Sequence, residues 1–210
     1  MIPAIPPITR ALIVVNVVVT VVAFVAGRAM RDWLFVNFAL WPLPPAGGFE
    51  LRHVPQFQSW QLVSYAFLHG SLPHLLLNML ALFMFGGEIE RVWGERRYLV
   101  YYFACVIGAA GAQLLVTSLQ GGPPYPTVGA SGGVFGLLLA FGMMFPRRII
   151  VLIFPPIPMP AWLFVTVFGG IELVLGVTGT QAGVAHFAHL GGMAAGFVMI
   201  QYWRGRRARR

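Results

Sequence analysis

Ser131 is a lone hydroxyl in the small-residue stretch Gly129-Ala130-Ser131-Gly132-Gly133, heading an apolar run that reaches Phe145. A loop rich in proline and glycine, Gln120-Gly121-Gly122-Pro123-Pro124-Tyr125-Pro126, precedes it, so the pattern predicts Ser131 in the first turn of a helix. Unpaired backbone N–H groups and the positive helix end favour negative charge there. A serine so placed is either a nucleophile with its own anion hole or a helix cap. His74, Asn78, Glu172, His186 and His189 also stand within or beside apolar sequence. A serine hydroxyl is a weak nucleophile until a neighbouring base takes its proton, and histidine suits that role near neutral pH. Acyl transfer then needs donors aimed at the developing oxyanion. The backbone N–H of Ser131, the amide of Asn78 and an N–H of His74 are the available set.

The elements that must position these groups are membrane helices. The chain has 210 residues, 58% of them hydrophobic and 10% charged, which argues against a soluble domain. Long apolar runs predict an all-α polytopic membrane protein with six spans, near 9–27, 72–89, 98–119, 131–145, 161–176 and 184–203. The fourth and fifth are short for a bilayer core of about 30 Å, which takes about 20 helical residues. Tilt, a thinned bilayer, or a helix that begins inside the membrane accounts for such a length.

All 14 basic residues are arginine. With the N-terminus inside, only Arg28, Arg31 and Arg52 fall on the outer side, a strong positive-inside asymmetry that supports six spans and two cytoplasmic termini. The net charge of +8 therefore calls for no nucleic acid, and the tail at 204–210 is read as touching anionic lipid headgroups. The first residues lack a charged start and the following run is long enough to span, so no cleavable signal is expected. Cys105, the single cysteine, lies in an apolar span and reads as a small core residue. No repeat or second-domain boundary interrupts the chain, so residues 1–210 read as one membrane domain. Residues 28–69 hold many aromatics broken by prolines and glycines, a composition suited to lying in the outer interface.

Membrane polar groups are costly, so a shared depth is informative. Counting back from the cytoplasmic arginines at about 1.5 Å per residue puts Ser131 roughly 24 Å, His189 roughly 22 Å, Asn78 roughly 20 Å and His74 roughly 25 Å from that face. Packing polars have no reason to share a layer; a site opened to external water does. His74 and Asn78 project from one helix face. Gly192 and Gly196 form a small-residue face on the last span, and Gly129, Gly132, Gly133 and Gly136 offer a matching surface on the fourth. Close packing there would bring Ser131 within reach of His189.

With these residues in place, the chain resembles the rhomboid intramembrane serine proteases over nearly all its length. Gly129-Ala130-Ser131-Gly132 matches the family's G-x-S-G, Ala188-His189-Leu190-Gly191-Gly192 its A-H-x-x-G, and His74-Leu75-Leu76-Leu77-Asn78 its H-x-x-x-N. Gly86-Gly87-Glu88-Ile89-Glu90 with Gly94 is similar to the segment ending the second span. The resemblance implies a six-helix core with an interfacial first loop and a Ser131–His189 dyad. His74, Asn78 and backbone N–H groups would stabilise the oxyanion, and transmembrane protein substrates would be cut near their outer ends. It implies a structural role for Glu90, no cofactor, no metal and no obligatory protein partner. Phe135 stands where some relatives carry a tyrosine that packs on the catalytic histidine. Gln61 stands where many have arginine, which puts anchoring of the first loop in question. No targeting extension is read, so a bacterial-type plasma membrane is expected.

Other readings compete. Gly129 to Gly133 also fits the G-x-S-x-G elbow of soluble hydrolases, but that elbow needs an α/β sheet which this composition denies. His186 is a rival base on a similar helix face, about 4.5 Å nearer the outer surface. His69, His186 and His189 raise the possibility of a metal, but no H-E-x-x-H or carboxylate cluster accompanies them. Glu172 is a candidate to orient His189 as a third member, whereas the family works as a dyad. A non-catalytic membrane-protein binder or chaperone on the same scaffold is the alternative function. A transporter would need an inverted repeat or a buried charge pathway, and neither is visible.

Overall fold

The computed structural model describes residues 4–43, 55–120, 124–152, 155–179 and 185–208. Helix α1 (Pro7–Val25) opens with a proline in its first turn, where a missing N–H costs nothing. Thr9, Leu12, Asn16, Thr20 and Ala23 repeat at three- and four-residue spacing on its buried face. Val14, Val15, Val18, Val21 and Val22 point outward. Polar residues face the protein and valines face away, the reverse of a helix in water. That is how a helix bathed in lipid must be arranged.

Next come α2 (Arg28–Phe38), α3 (Gln61–Ser64) with a 3₁₀ turn through Phe67, and α4 (Leu72–Ala81). A π-helical stretch, Leu82–Gly86, leads into α5 (Gly87–Trp93), and Gly94, at φ +77°, breaks the run. Helix α6 (Glu95–Gln120), α7 (Ser131–Met144), the strands β1 (Ile149–Val151) and β2 (Pro158–Pro160), α8 (Ala161–Thr178) and α9 (His186–Ala208) complete the order. The two strands pair antiparallel. The segments α1, Leu72–Trp93, α6 and α8 are each long and apolar enough to cross a membrane, and α7 is a shorter apolar helix. The fold is therefore helical, polytopic and membrane-embedded.

Each expected span overlaps a helix, but the bounds differ: α1 ends at Val25 rather than 27, the second segment runs to Trp93 rather than 89, and α7 ends at Met144 rather than 145. Helix α8 has 18 residues, so it is not short; it runs to Thr178, and Gly179 stops it in the left-handed conformation with its N–H on the carbonyl of Leu175. Helix α9 continues beyond 203 to Ala208, and the expected start at 184 lies outside the described residues. The small hairpin after α7 was not expected, because three-residue strands carry no readable alternation.

Glycine contacts decide the packing at the centre. A Cβ on Gly191 would collide with Ala112, one on Gly108 with Ala195, and one on Gly192 with the carbonyl of Gly132. Helix α9 therefore sits backbone-close against both α6 and α7. The sequence pairs the glycine face of α9 with α7 alone; only Gly192 meets it, whereas Gly196 lies against the hydroxyl of Tyr101 on α6. Tyr101 in turn donates to the carbonyl of Gly136 at 2.7 Å, so α6 ties the two other helices together.

Glu90 fastens α1 to the base of α5. Its carboxylate accepts from the backbone N–H groups of Ile8 at 2.9 Å and Thr9 at 2.7 Å, and from the Thr9 hydroxyl at 2.7 Å. Two of those donors are the orphan N–H groups of a helix start, and the positive helix end favours the charge. Glu90→Ala strands these donors in a buried site, and each unsatisfied group costs about 1–3 kcal/mol. A melting temperature in detergent lower by several degrees is expected; an unchanged one would show that α1 is held by its apolar contacts alone.

The described part of the 28–69 segment is anchored by Gln61, which is fully buried. Its amide oxygen accepts from the N–H groups of Trp41 and Gln58, both at 3.2 Å, and its amide nitrogen donates to the carbonyl of Asn37 at 3.3 Å. A neutral amide thus joins α2 to α3 at the position where the resemblance led to an expected arginine. Leu40 and Thr127 exchange backbone hydrogen bonds of 3.0 and 2.9 Å, and the N–H of Gly129 donates to the carbonyl of Tyr65 at 3.0 Å. These bonds hold the strand-like approach to Ser131 in place.

Candidate active site

Ser131 is the first residue of α7, preceded by Ala130 as the cap, so the first backbone N–H groups of the helix lie beside its hydroxyl without intrahelical acceptors. Gly129 reaches this start with φ +124°, a conformation that excludes other residues. A Cβ there would also press on the ring of His74, 2.7 Å from Cε1 and 2.8 Å from Nε2, with the Ser131 hydroxyl oxygen 3.7 Å away. The glycine is thus what lets His74 and Ser131 border the same small space.

His189 Nε2 lies 2.7 Å from Ser131 Oγ. On its other side, Nδ1 lies 2.8 Å from Glu172 Oε2, and the same oxygen is 2.7 Å from Nδ1 of His186. A carboxylate only accepts, so both histidines donate from Nδ1. That tautomer leaves Nε2 of His189 as the acceptor for the serine hydroxyl. Phe135 lies flat on the His189 ring, centroids 4.3 Å apart and planes 7° from parallel, which fixes the ring's tilt. His186 does not reach Ser131: its Nε2 has no hydrogen-bond partner.

Helix α4 brings the remaining groups. Ser71 caps it, its hydroxyl accepting from the N–H of His74 at 3.3 Å, and Asn78 sits one turn on. One amide hydrogen of Asn78 goes to the carbonyl of His74 at 2.9 Å, which leaves its second available. His74 packs edge-on against His69, with ring centroids 5.0 Å apart. His69 lies in the turn before α4; burial, with His74 beside it, pushes its imidazole down to about 3, so it is neutral at any working pH. The Thr20 hydroxyl meets its Nδ1 at 3.4 Å.

Glu172, His186 and His189 each offer one ligand atom within 4.8 Å of the others, the one group among the described residues close enough to hold a metal ion. Hydrogen bonds between these same residues account for the arrangement. The fork at Glu172 and the anchor at Gln61 are what the sequence underrates. Glu172 stands out as a carboxylate in mid-span, but nothing local says which ring it meets.

A bundle of apolar helices that brings a half-buried serine, a buried imidazole and a partly buried carboxylate into hydrogen-bonded contact defines a polytopic membrane protein. The chain belongs to the rhomboid family: the Rhomboid domain matches residues 56–206. It is 34% identical over 158 residues to RHOMBOID-like protein 4 of Arabidopsis thaliana, covering 75% of this chain and 37% of that protein. Identity to Rhomboid protease GluP of Bacillus subtilis is 36% over 92 residues, 44% of this chain and 17% of that one. To Rhomboid protease GlpG of Yersinia pestis it is 26% over 208 residues, 97% of this chain and 65% of that one. The chain thus spans less than two thirds of the length of each of these relatives. They include named proteases, and the protein is an integral membrane member of their family.

Proposed function

We propose that this protein is an intramembrane serine endopeptidase working through a Ser131–His189 dyad and an acyl-enzyme. The observation that carries this reading is the 2.7 Å contact from Ser131 Oγ to His189 Nε2, with the accepting tautomer already set. Nε2 takes the hydroxyl proton as Oγ attacks the substrate carbonyl carbon. The oxyanion is met by the N–H of Ser131, the second amide hydrogen of Asn78 and an N–H of His74. His189 then returns the proton to the leaving nitrogen, the C–N bond breaks, and Ser131 carries the acyl group. Water, deprotonated by His189, then attacks the acyl carbon; the C–Oγ bond breaks, the acyl group leaves as a carboxylic acid, and His189 returns the proton to Ser131 Oγ.

Substrates in this reading are transmembrane proteins cut near the outer face. A substrate helix must unwind locally, because helical carbonyls are hydrogen-bonded and shielded. Six spans form a single rhomboid domain in a bacterial-type plasma membrane, with both termini and the arginine-rich ends cytoplasmic and the tail on anionic lipid. A non-catalytic binder or chaperone would have no need of a serine and an imidazole in contact, so the enzyme reading is preferred. The test is purified protein in liposomes, given a fluorophosphonate probe and a membrane-anchored reporter. Labelling at Ser131 together with reporter cleavage is expected; neither occurring in the intact fold would favour the binder.

A further inference from the structure

The dyad leaves unused the one mid-span carboxylate among the described residues. Glu172, on α8, is largely buried, and its Oε2 alone accepts from two imidazoles on α9, His186 at 2.7 Å and His189 at 2.8 Å. We propose that Glu172 is a positioning residue that orients the Ser131–His189 pair as a third member, with His186 as a second donor holding the same carboxylate oxygen. This rests on the dyad reading above.

The argument follows from proton bookkeeping. A neutral imidazole carries its single proton on either nitrogen, and only the Nδ1–H form offers Nε2 to Ser131. An anionic acceptor at Nδ1 selects that form and fixes the ring's rotation about its own axis, while Phe135 fixes its tilt. When His189 takes the serine proton, the imidazolium is created against a carboxylate in a water-poor site, where the pair is worth far more than in water. His186 contributes its own Nδ1–H to the same oxygen, and its Nε2 stays unpartnered. Two donors on one oxygen, both from successive turns of α9, keep the carboxylate from swinging away to water. Packing alone does not explain the arrangement. A leucine fills similar volume in an apolar helix at no desolvation cost.

The experiment uses the full chain in liposomes and reads kinact and KI for the fluorophosphonate, with thermal stability alongside, for the wild type, Glu172→Leu, Glu172→Gln and Ser131→Ala. Removing the orienting carboxylate from a serine–histidine pair in soluble hydrolases costs up to about 10⁴-fold. Glu172→Leu is expected to lower kinact about 100-fold or more, with KI within about twofold, while the two stranded Nδ1–H donors lower the melting temperature modestly. Glu172→Gln, which keeps an acceptor but no charge, should lose about tenfold or more in kinact. Wild-type kinact in Glu172→Leu overturns the proposal, as does a loss confined to KI and melting temperature, which would mark a structural contact. Loss of wild-type labelling on chelation with EDTA also overturns it, by assigning the cluster to a metal. Labelling that persists in Ser131→Ala breaks the dyad reading itself. A silent Ser131→Ala beside a fully active Glu172→Leu breaks only the role of Glu172.

Discussion

Ser131→Ala is expected to abolish fluorophosphonate labelling and reporter cleavage together, with a loss of at least about 10⁴-fold, while melting temperature barely moves. The hydroxyl contributes little to packing, since alanine is smaller and the site already holds only small neighbours at Gly129 and Gly132. His189→Ala should match it within about tenfold, because nucleophile and base act as a unit and their losses do not add. It should also melt lower, as it removes the ring that stacks on Phe135 and donates to Glu172. His186→Ala should lose far less activity, because that ring makes no hydrogen bond to Ser131 and its loss still leaves Glu172 on His189. The comparison is read by single-turnover labelling in liposomes. Equal losses at His186 and His189 would mean that the base has been misassigned.

The largest expected effect on stability comes from a single methyl group. Gly192→Ala drives a Cβ into the backbone carbonyl of Gly132, and backbone cannot swing aside as a side chain does. Overpacking a close-packed interior costs about 1–3 kcal/mol where side chains give way, so about 3 kcal/mol or more is expected here. The separation forced between α7 and α9 also pulls Ser131 from His189, so labelling should fall at least about tenfold even in the folded fraction, a displacement of about 1 Å costing about 100-fold. Gly170→Ala on α8 is the control, since a Cβ there meets nothing within 4 Å. It should be neutral or stabilise by about 0.5–1 kcal/mol through helix propensity. Thermal unfolding in detergent checks both. A Gly192→Ala protein as stable as Gly170→Ala would show that the interface is looser than its backbone contacts require.

The parts legible in advance were those with local causes. A proline- and glycine-rich loop before an apolar run is enough to start α7 at Ser131. A four-residue spacing is enough to put His74 and Asn78 on one face. The count of residues back to the arginines puts Ser131, His189 and α4's polar pair at one expected depth; the structure brings Ser131 to His189 and the His74 ring beside Gly129. Gln61 shows the limit. In the sequence, glutamine in place of arginine reads as a weakness, yet the amide bonds to Asn37 of α2, to Trp41 just beyond it and to Gln58 just before α3, and the two long-range bonds have no local signal.

In a lipid-bathed chain the helices are apolar on nearly every side, so periodicity says where a helix runs but not which way it faces. That is why the glycines of α9 read as a partner for α7, although α6 takes Gly191 and Gly196 and only Gly192 meets Gly132. It is also why Glu172 reads only as a candidate to orient His189, and why its bond to His186 is not foreseen. Composition and span lengths by themselves determined the membrane class and the helix order, and the resemblance to the rhomboid motifs added which serine and histidine to test. Tertiary structure alone decided that one carboxylate oxygen holds both imidazoles, because that contact depends on the rotation of α8 about its own axis against α9. No local sequence preference sets that rotation; the collision of backbone and small side chains between helices does.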